Sequence, residues 1–285
     1  MKREIIYVES DDHGGNRNGL MHPVKLMDEE GDDFEPELTK TQNFLLELRN
    51  ANIEKLKKLA GKDDVIYLHG GDITQGMKYI SDWVTTTLGH QLVIAHNNHY
   101  ELFRRVKNIK IARYAHGTSS HVFGNASSEM IVIPQLQAEF PKVDIRHYPH
   151  GLIELGNDFS TDIAHHGPGR GSRKWLEGNI ASYYLRDRML QELLRGKKPP
   201  DVYLRFHYHG WAKCGWNISI DDNDYWSWLF LIPSMCGINA YGRQVTKSVS
   251  HITHGALAIE LVDRKILDVH RWTVTSDLRT KERIK

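Results

Sequence analysis

Hydrophobic and polar positions alternate along the chain in short blocks, and these blocks predict strands and helices in turn. Residues 3–10 and 64–72 begin as apolar runs rich in β-branched side chains and end in polar residues, which is typical of buried strands. Between them, leucine and isoleucine recur at helical spacing, with Thr39 as the N-cap and Gly61 as the stop of a predicted helix. Residues 16–36 are acidic and lack periodicity, so we expect a loop there.

The rest of the chain continues this alternation. The later predicted elements are, in chain order, a helix over 77–89, a strand over 91–99, a hairpin around Gly156–Asn157–Asp158, a helix over 175–195, strands over 201–210 and 226–234, and a hairpin over 256–274 that turns at Asp263–Arg264. Strands that alternate with helices and end in His, Asp or Asn predict an α/β fold with its site at the strand ends. No repeat or linker divides the sequence, so we expect one domain over residues 1–285, with two mixed sheets between helices.

Composition narrows the class of protein. Of the 285 residues, 40% are hydrophobic and 26% charged, which is the balance of an ordinary globular protein. The 37 basic and 36 acidic residues give a net charge of +1, so no overall field favours nucleic acid or a membrane surface. Cys214 and Cys236 are too few for a disulfide framework, and neither a signal peptide nor an apolar run of roughly 20 residues is present. We expect a cytoplasmic protein without a membrane partner.

Candidate metal ligands stand at five predicted strand ends. They are Asp11 and His13, Asp72, Asn98 and His99, His166, and His207 with His209. In an extended strand, residues i and i+2 point to the same side, so D-x-H and H-x-H can each reach one point, whereas Asp12 should point away. Carboxylate, imidazole and amide groups together suit Mn, Fe, Zn or Ni, and so many ligands suggest two ions joined by a bridging carboxylate.

In this order and spacing, the motifs resemble the calcineurin-like metallophosphoesterases, which include DNA-break-repair nucleases and small bacterial phosphodiesterases. The resemblance covers the chain: D-x-H, G-D, N-H, H-G and H-x-H follow one another, and the closing LIPS segment and C-terminal hairpin are also similar. It implies the family's fold, a four-layer α/β/β/α sandwich of two mixed sheets flanked by helices. The alternative amidohydrolases place H-x-H at the first strand, which is the wrong order here.

The resemblance also implies a role for each ligand. Asp11, His13 and His209 would hold one divalent ion, with Mn²⁺ favoured, and Asn98, His166 and His207 would hold the second. Asp72 would bridge the two ions, and His99 would stand near the scissile phosphate as the catalytic group that assists the leaving oxygen. In such a centre, a hydroxide that bridges the metals attacks phosphorus.

Some residues depart from the family pattern or flank it. The usual acidic residue after N-H is replaced by Tyr100, with Glu101 one position late, so the support of His99 is open. The Arg of the protein phosphatase motif GDxxDRG is absent after Asp72, which argues against that class. His165 is expected to face away from the metals.

The cations Arg170, Arg173 and Lys174 follow the His166 turn and either contact the substrate phosphate or form a solvated loop.

Together these features predict a metal-dependent phosphoester hydrolase. A phosphodiesterase or nuclease acting on nucleotide or nucleic-acid diesters is favoured, because His99 can assist an alkoxide and basic residues flank the site. A phosphomonoesterase of the same fold is one alternative. The other alternative is a non-catalytic, metal-containing module that binds nucleic acid. The intact ligands argue against it, because a protein without catalysis would not need to keep all of them.

Overall fold

Two mixed β-sheets form the centre of the structure, a computed structural model that describes residues 2–85, 87–121, 127–156, 159–169, 178–238, 250–280 and 282–283. The first sheet has the strand order β13-β12-β1-β4-β5-β6. Its strands are β1 (Arg3–Glu9), β4 (Asp64–His69), β5 (Ile109–Ala115), β6 (Asp144–Tyr148), β12 (His251–Val262) and β13 (Lys265–Asp277). Strands β1, β4, β5 and β6 are parallel, and β12 and β13 extend the sheet in antiparallel fashion.

The second sheet has the strand order β10-β11-β9-β8-β7. Its strands are β7 (Gly151–Leu155), β8 (Phe159–Ala164), β9 (Val202–Arg205), β10 (Ala212–Ile220) and β11 (Asn223–Leu231). A small ribbon pairs β2 (Leu26–Met27) with β3 (Asp33–Phe34). The helices are α1 (Lys40–Ala60), α2 (Leu88–Arg105), α3 (Glu129–Glu139) and α4 (Asn179–Leu194), with 3-10 turns at Ile80–Asp82 and Ser119–His121.

Alternation along the strands divides the core into layers. On β1, Ile6 and Val8 pack with Leu204 and Phe230 of the second sheet, whereas Ile5 and Tyr7 face helices α1 to α3. On the outer face of the second sheet, the side chains of α4 pack against β9, β10 and β11. The predicted four-layer α/β/β/α arrangement is therefore confirmed, because each sheet buries one face on the other sheet and one on helices.

The first predicted helix is confirmed to its ends. Thr39 accepts a hydrogen bond from the Gln42 backbone N–H, and the Gln42 side chain accepts one from the Thr39 N–H, which completes a capping box. Gly61 ends the helix with a positive φ of 56°.

The predictions around residues 77–99 are wrong. Residues 91–99 belong to α2 and not to a strand, and the predicted helix over 77–89 is reduced to the turn at Ile80–Asp82 before α2 begins at Leu88. The buried positions of α2 follow helical spacing: Gln91, Ile94, Ala95, Asn98, His99, Leu102 and Phe103. The apolar run that suggested a strand is too short to distinguish the two structures by itself. The third parallel strand is instead β5, which ends at Ala115 and is followed by His116.

None of the helices in the described ranges is long and apolar enough to span a membrane.

A fully buried ion pair ties α1 to the first sheet. The Arg49 guanidinium lies 3.0 Å from Glu9 Oε2 and donates to the Asn98 backbone oxygen at 2.7 Å, so it also holds α2. The hydroxyls of Tyr7 and Tyr67 donate to the same Glu9 carboxylate at 2.5 and 3.3 Å. Because Arg49 and Glu9 are both completely buried, each depends on the other for charge compensation.

We expect Arg49→Met to destabilise the fold by about 3–5 kcal/mol, since it leaves the Glu9 carboxylate buried without its partner. Chemical denaturation of the purified variant measures this loss. The double variant Arg49→Met/Glu9→Gln removes the stranded charge and keeps an acceptor for the tyrosines, so it should recover part of the stability. A double variant no more stable than the single one would contradict the proposed charge dependence.

Candidate metal centre

The backbone pairing of β1 with β4 continues beyond the ends of the two strands. The Asp11 N–H donates to the Gly71 oxygen at 3.1 Å, and the His13 N–H donates to the Asp72 oxygen at 3.0 Å. The loops that follow the two strands therefore run side by side, and they bring three of the expected ligands to one edge of the sheet.

Five of the expected ligands have left-handed backbone conformations. Their φ angles are 55° for Asp11, 45° for His13, 52° for Asp72, 70° for His207 and 45° for His209. Such angles are uncommon outside glycine, and they persist where the surrounding structure imposes them. Asp11 and His13 do converge, but they do so through these turns and not through the extended alternation that the sequence suggested.

The first group of donors consists of Asp11, His13 and His209, whose ligand atoms lie within 4.8 Å of one another. His209 Nε2 is 3.2 Å from Asp11 Oδ1, and His13 Nε2 is 3.8 Å from the same oxygen. Among the described residues, Asp11 Oδ1 and both ring nitrogens of His13 are buried without a hydrogen-bond partner. Buried polar atoms are rarely left unpaired, so these atoms fit a cation.

The second group consists of Asp72, His165 and His207. His165 Nε2 lies 3.1 Å from Asp72 Oδ2, and its Nδ1 lies 2.7 Å from the Gly70 backbone oxygen. A carbonyl that accepts from one ring nitrogen leaves the other free to bind a metal. The structure thus puts His165, and not His166, beside Asp72.

His166 stands outside the donor groups found in the described part of the chain. Its ring is 4.7 Å from the ring of His207, on the more open side of the site.

His121 is a functional candidate that the sequence reasoning missed. Together with His13 and Asp72 it forms a third group of ligand atoms, and its Nδ1 lies 2.6 Å from the Gln75 oxygen. Asp72 is therefore common to two groups. The signal for His121 was its place after β5, which would have been visible had this strand been identified.

The Asp72 carboxylate is held from behind by the loop after β5. The Thr118 N–H donates to Asp72 Oδ1 at 2.6 Å, and the Thr118 hydroxyl is also within reach. A methyl group on Gly117 would overlap the same carboxylate, so only glycine fits this close approach.

The remaining sequence-predicted residues lie elsewhere. Both polar atoms of the Asn98 side chain bond to the loop after β1. The amide nitrogen donates to the Leu20 backbone oxygen, and the amide oxygen accepts from the His22 N–H, both at 2.9 Å. His99 is fully buried on α2, and Glu101 pairs with Arg104 at 2.6 Å rather than with His99. The structure brings neither Asn98 nor His99 to the donor groups of Asp72. Arg170, Arg173 and Lys174 lie outside the described residues.

Charge is strongly organised among these residues. Burial alone would lower the pKa of His165, but the facing carboxylates of Asp72 and Asp11 raise it to about 10. Burial would raise the pKa of Asp72, but the charge of His165 holds it below its usual range. Burial, together with the neighbouring histidines, lowers the pKa of His13 and His207 to about 4, so both rings are neutral at pH 7 and could bind a metal. The carboxylates attract positive charge to the point between them, and these residues fit first-row divalent cations.

The two adjacent histidines give a direct test of the donor assignment. We expect His165→Gln to lose about one divalent ion per chain, because its Nε2 faces Asp72, and His166→Gln to keep the wild-type content. Elemental analysis of dialysed protein measures both. Loss of metal from the His166 variant alone would reverse the assignment.

Metal binding should release a proton from His165. We expect Mn²⁺ binding at pH 7.5 to release about one proton per chain, and its affinity to fall about tenfold for each pH unit below pH 10. Calorimetry in buffers of different ionisation enthalpy counts this proton. The pKa of His165 in the folded protein lies above its ordinary value of 6.5, so the charged ring stabilises the fold when no metal is bound. This stabilisation is complete below pH 6.5 and disappears as pH rises through about 10. Metal binding without proton release would contradict the charged state of His165.

Comparisons with known proteins add one observation. No protein-family model and no curated protein matches the chain. Among the solved structures that match is the calcineurin-like phosphoesterase YfkN from Bacillus subtilis, at 10% identity and a TM-score of 0.38, with 97% of this chain and 91% of that chain covered. That protein carries the name of the family that the sequence motifs resemble. A TM-score of this size supports no inference for this chain, so the fold assignment depends on the four layers alone.

Proposed function

We propose that this protein is a dinuclear metal-dependent phosphoester hydrolase. The observation that carries the proposal is the position of Asp72, which is common to two histidine-containing donor groups at the ends of parallel strands. A divalent pair, Mn²⁺ by preference, would polarise a phosphoryl oxygen and lower the pKa of water. The chain itself contributes neutral imidazoles from His13 and His207 and buried carboxylates from Asp11 and Asp72.

Within this class we propose a phosphodiesterase or nuclease. Support comes from the cations Arg170, Arg173 and Lys174, which closely follow His165 and His166 in the sequence. The half-exposed ring of Tyr208, 5.1 Å from the ring of His207, offers a face on which a base or sugar can pack. In this proposal, His166 replaces the buried His99 as the hydrogen-bond donor to the leaving oxygen.

The test is hydrolysis of bis-p-nitrophenyl phosphate with Mn²⁺. We expect metal-dependent turnover that falls by at least about 100-fold in Asp72→Asn. Loss of a residue that only hydrogen-bonds to a metal ligand typically lowers activity by about 10–100-fold, and loss of a ligand shared by two ions should have a larger effect. His166→Gln should lower kcat and leave the metal content unchanged. If the fully metallated protein hydrolysed neither diesters nor monoesters, the proposed enzymatic activity would be refuted.

Substrate class is tested with the same preparation on p-nitrophenyl phosphate and on labelled single- and double-stranded DNA and RNA. Faster turnover of the monoester would favour a phosphomonoesterase and contradict the diester proposal. Binding of nucleic acid without cleavage would identify the non-catalytic module.

A further inference from the structure

A fourth group of side chains that could hold a metal ion lies in the core behind the candidate centre. It consists of Asp12, His69 and His99, all three fully buried, with ligand atoms within 4.8 Å of one another. The three side chains come from the loop after β1, the end of β4 and the middle of α2. Asp12 is the middle residue of D-x-H and points away from Asp11 and His13, as expected, but it faces His69 and His99 in the interior instead of solvent.

Most of the polar side-chain atoms of this buried group lack hydrogen bonds. Both carboxylate oxygens of Asp12, His69 Nε2 and both ring nitrogens of His99 have no hydrogen-bond partner within the ranges that the structure describes. His69 Nε2 lies 3.4 Å from Asp12 Oδ1, and His99 Nε2 lies 3.6 Å from Asp12 Oδ2. Both distances exceed those of a normal N–H···O bond. Two ligands 2.0–2.1 Å from a tetrahedral zinc ion would be about 3.3–3.4 Å apart, which matches this spacing.

Charge balance points to a cation in the same place. The nearby Arg49 already pairs with Glu9 at 3.0 Å and donates to the Asn98 oxygen, so its charge is matched. Among the described residues, no guanidinium or ammonium group contacts Asp12 directly, and a buried carboxylate without a paired charge is costly. Burial lowers the pKa of His99 well below its ordinary value, so its ring is neutral and offers a lone pair.

One contact opposes metal binding at His69. The Gly71 N–H lies 3.2 Å from His69 Nδ1, which makes Nδ1 an acceptor and leaves the proton on Nε2. Coordination through Nε2 would move this proton to Nδ1 and break the contact with Gly71. A single long hydrogen bond is a small loss beside the coordination of a buried divalent ion.

We propose that Asp12, His69 and His99 bind a third divalent cation of the zinc class, separate from the dinuclear centre. The carboxylate of Asp12 and one nitrogen from each histidine supply the donor atoms, which are of the types that bind zinc. The ion joins β1, β4 and α2 directly behind the loops that carry Asp11, His13 and Asp72. It does not contact the substrate, so its role is to hold these loops in position.

The first experiment uses the wild-type protein grown with zinc. Dialysis against EDTA should remove the ions of the accessible centre and leave about one zinc per folded chain. Unfolding in guanidinium in the presence of the zinc dye 4-(2-pyridylazo)resorcinol should then release that zinc. Folded, dialysed protein that carries no zinc, and whose melting temperature does not rise when zinc is returned, would overturn the proposal.

Variants assign the retained zinc to this group. His99→Gln should lose it, whereas His96→Gln, a control on the same helix whose ring pairs with Glu139, should keep it. Asp72→Asn/His207→Asn disrupts only the dinuclear centre and should also retain one zinc after dialysis. This outcome is independent of phosphoester hydrolysis, so the third site can fail or succeed without the proposed enzyme. Retention of the zinc in folded His99→Gln would overturn the assignment.

Discussion

The pairing of β1 with β4 is the contact on which the candidate metal centre depends. It continues as hydrogen bonds from Asp11 to Gly71 and from His13 to Asp72, so two loops that are distant in sequence are held in register. The candidate ligands along this pairing adopt left-handed φ angles, a strain that the surrounding hydrogen bonds must offset. As a result, Asp11, His13 and Asp72 project to one side, and Asp12 projects to the other.

The same arrangement places an unusual amount of charge in the interior. Glu9, Asp11, Asp12 and Asp72 are buried carboxylates close to one sheet edge, and they need compensation that the hydrophobic core cannot supply. Arg49 satisfies Glu9, and a proton on His165 partly satisfies Asp11 and Asp72. Positive charge is therefore a structural requirement of this region, and in the proposed enzyme metal ions would meet it.

The contrast between His165 and His166 shows how closely local geometry controls the site. Adjacent histidines differ by one position along the end of β8, and the sequence favoured the second. The structure turns His165 inward because its Nδ1 meets the Gly70 oxygen, on the same loop that carries Asp72. His166 remains near the opening, where it can contact what binds to the centre. Simple alternation does not distinguish the two, because the strand has already ended.

The sequence by itself determined the α/β class, the ends of α1, the hairpin of β12 and β13, and the D-x-H, G-D and H-x-H segments that meet at the centre. These features are local, since periodicity, caps and turn residues act within a few positions. Tertiary structure decided that residues 91–99 are helical, that β5 is the third parallel strand and leads to the turn with His121, and that Asn98 and His99 lie outside the candidate centre. Each of these outcomes depends on contacts between segments far apart in sequence, where packing outweighs the preferences of a short apolar run.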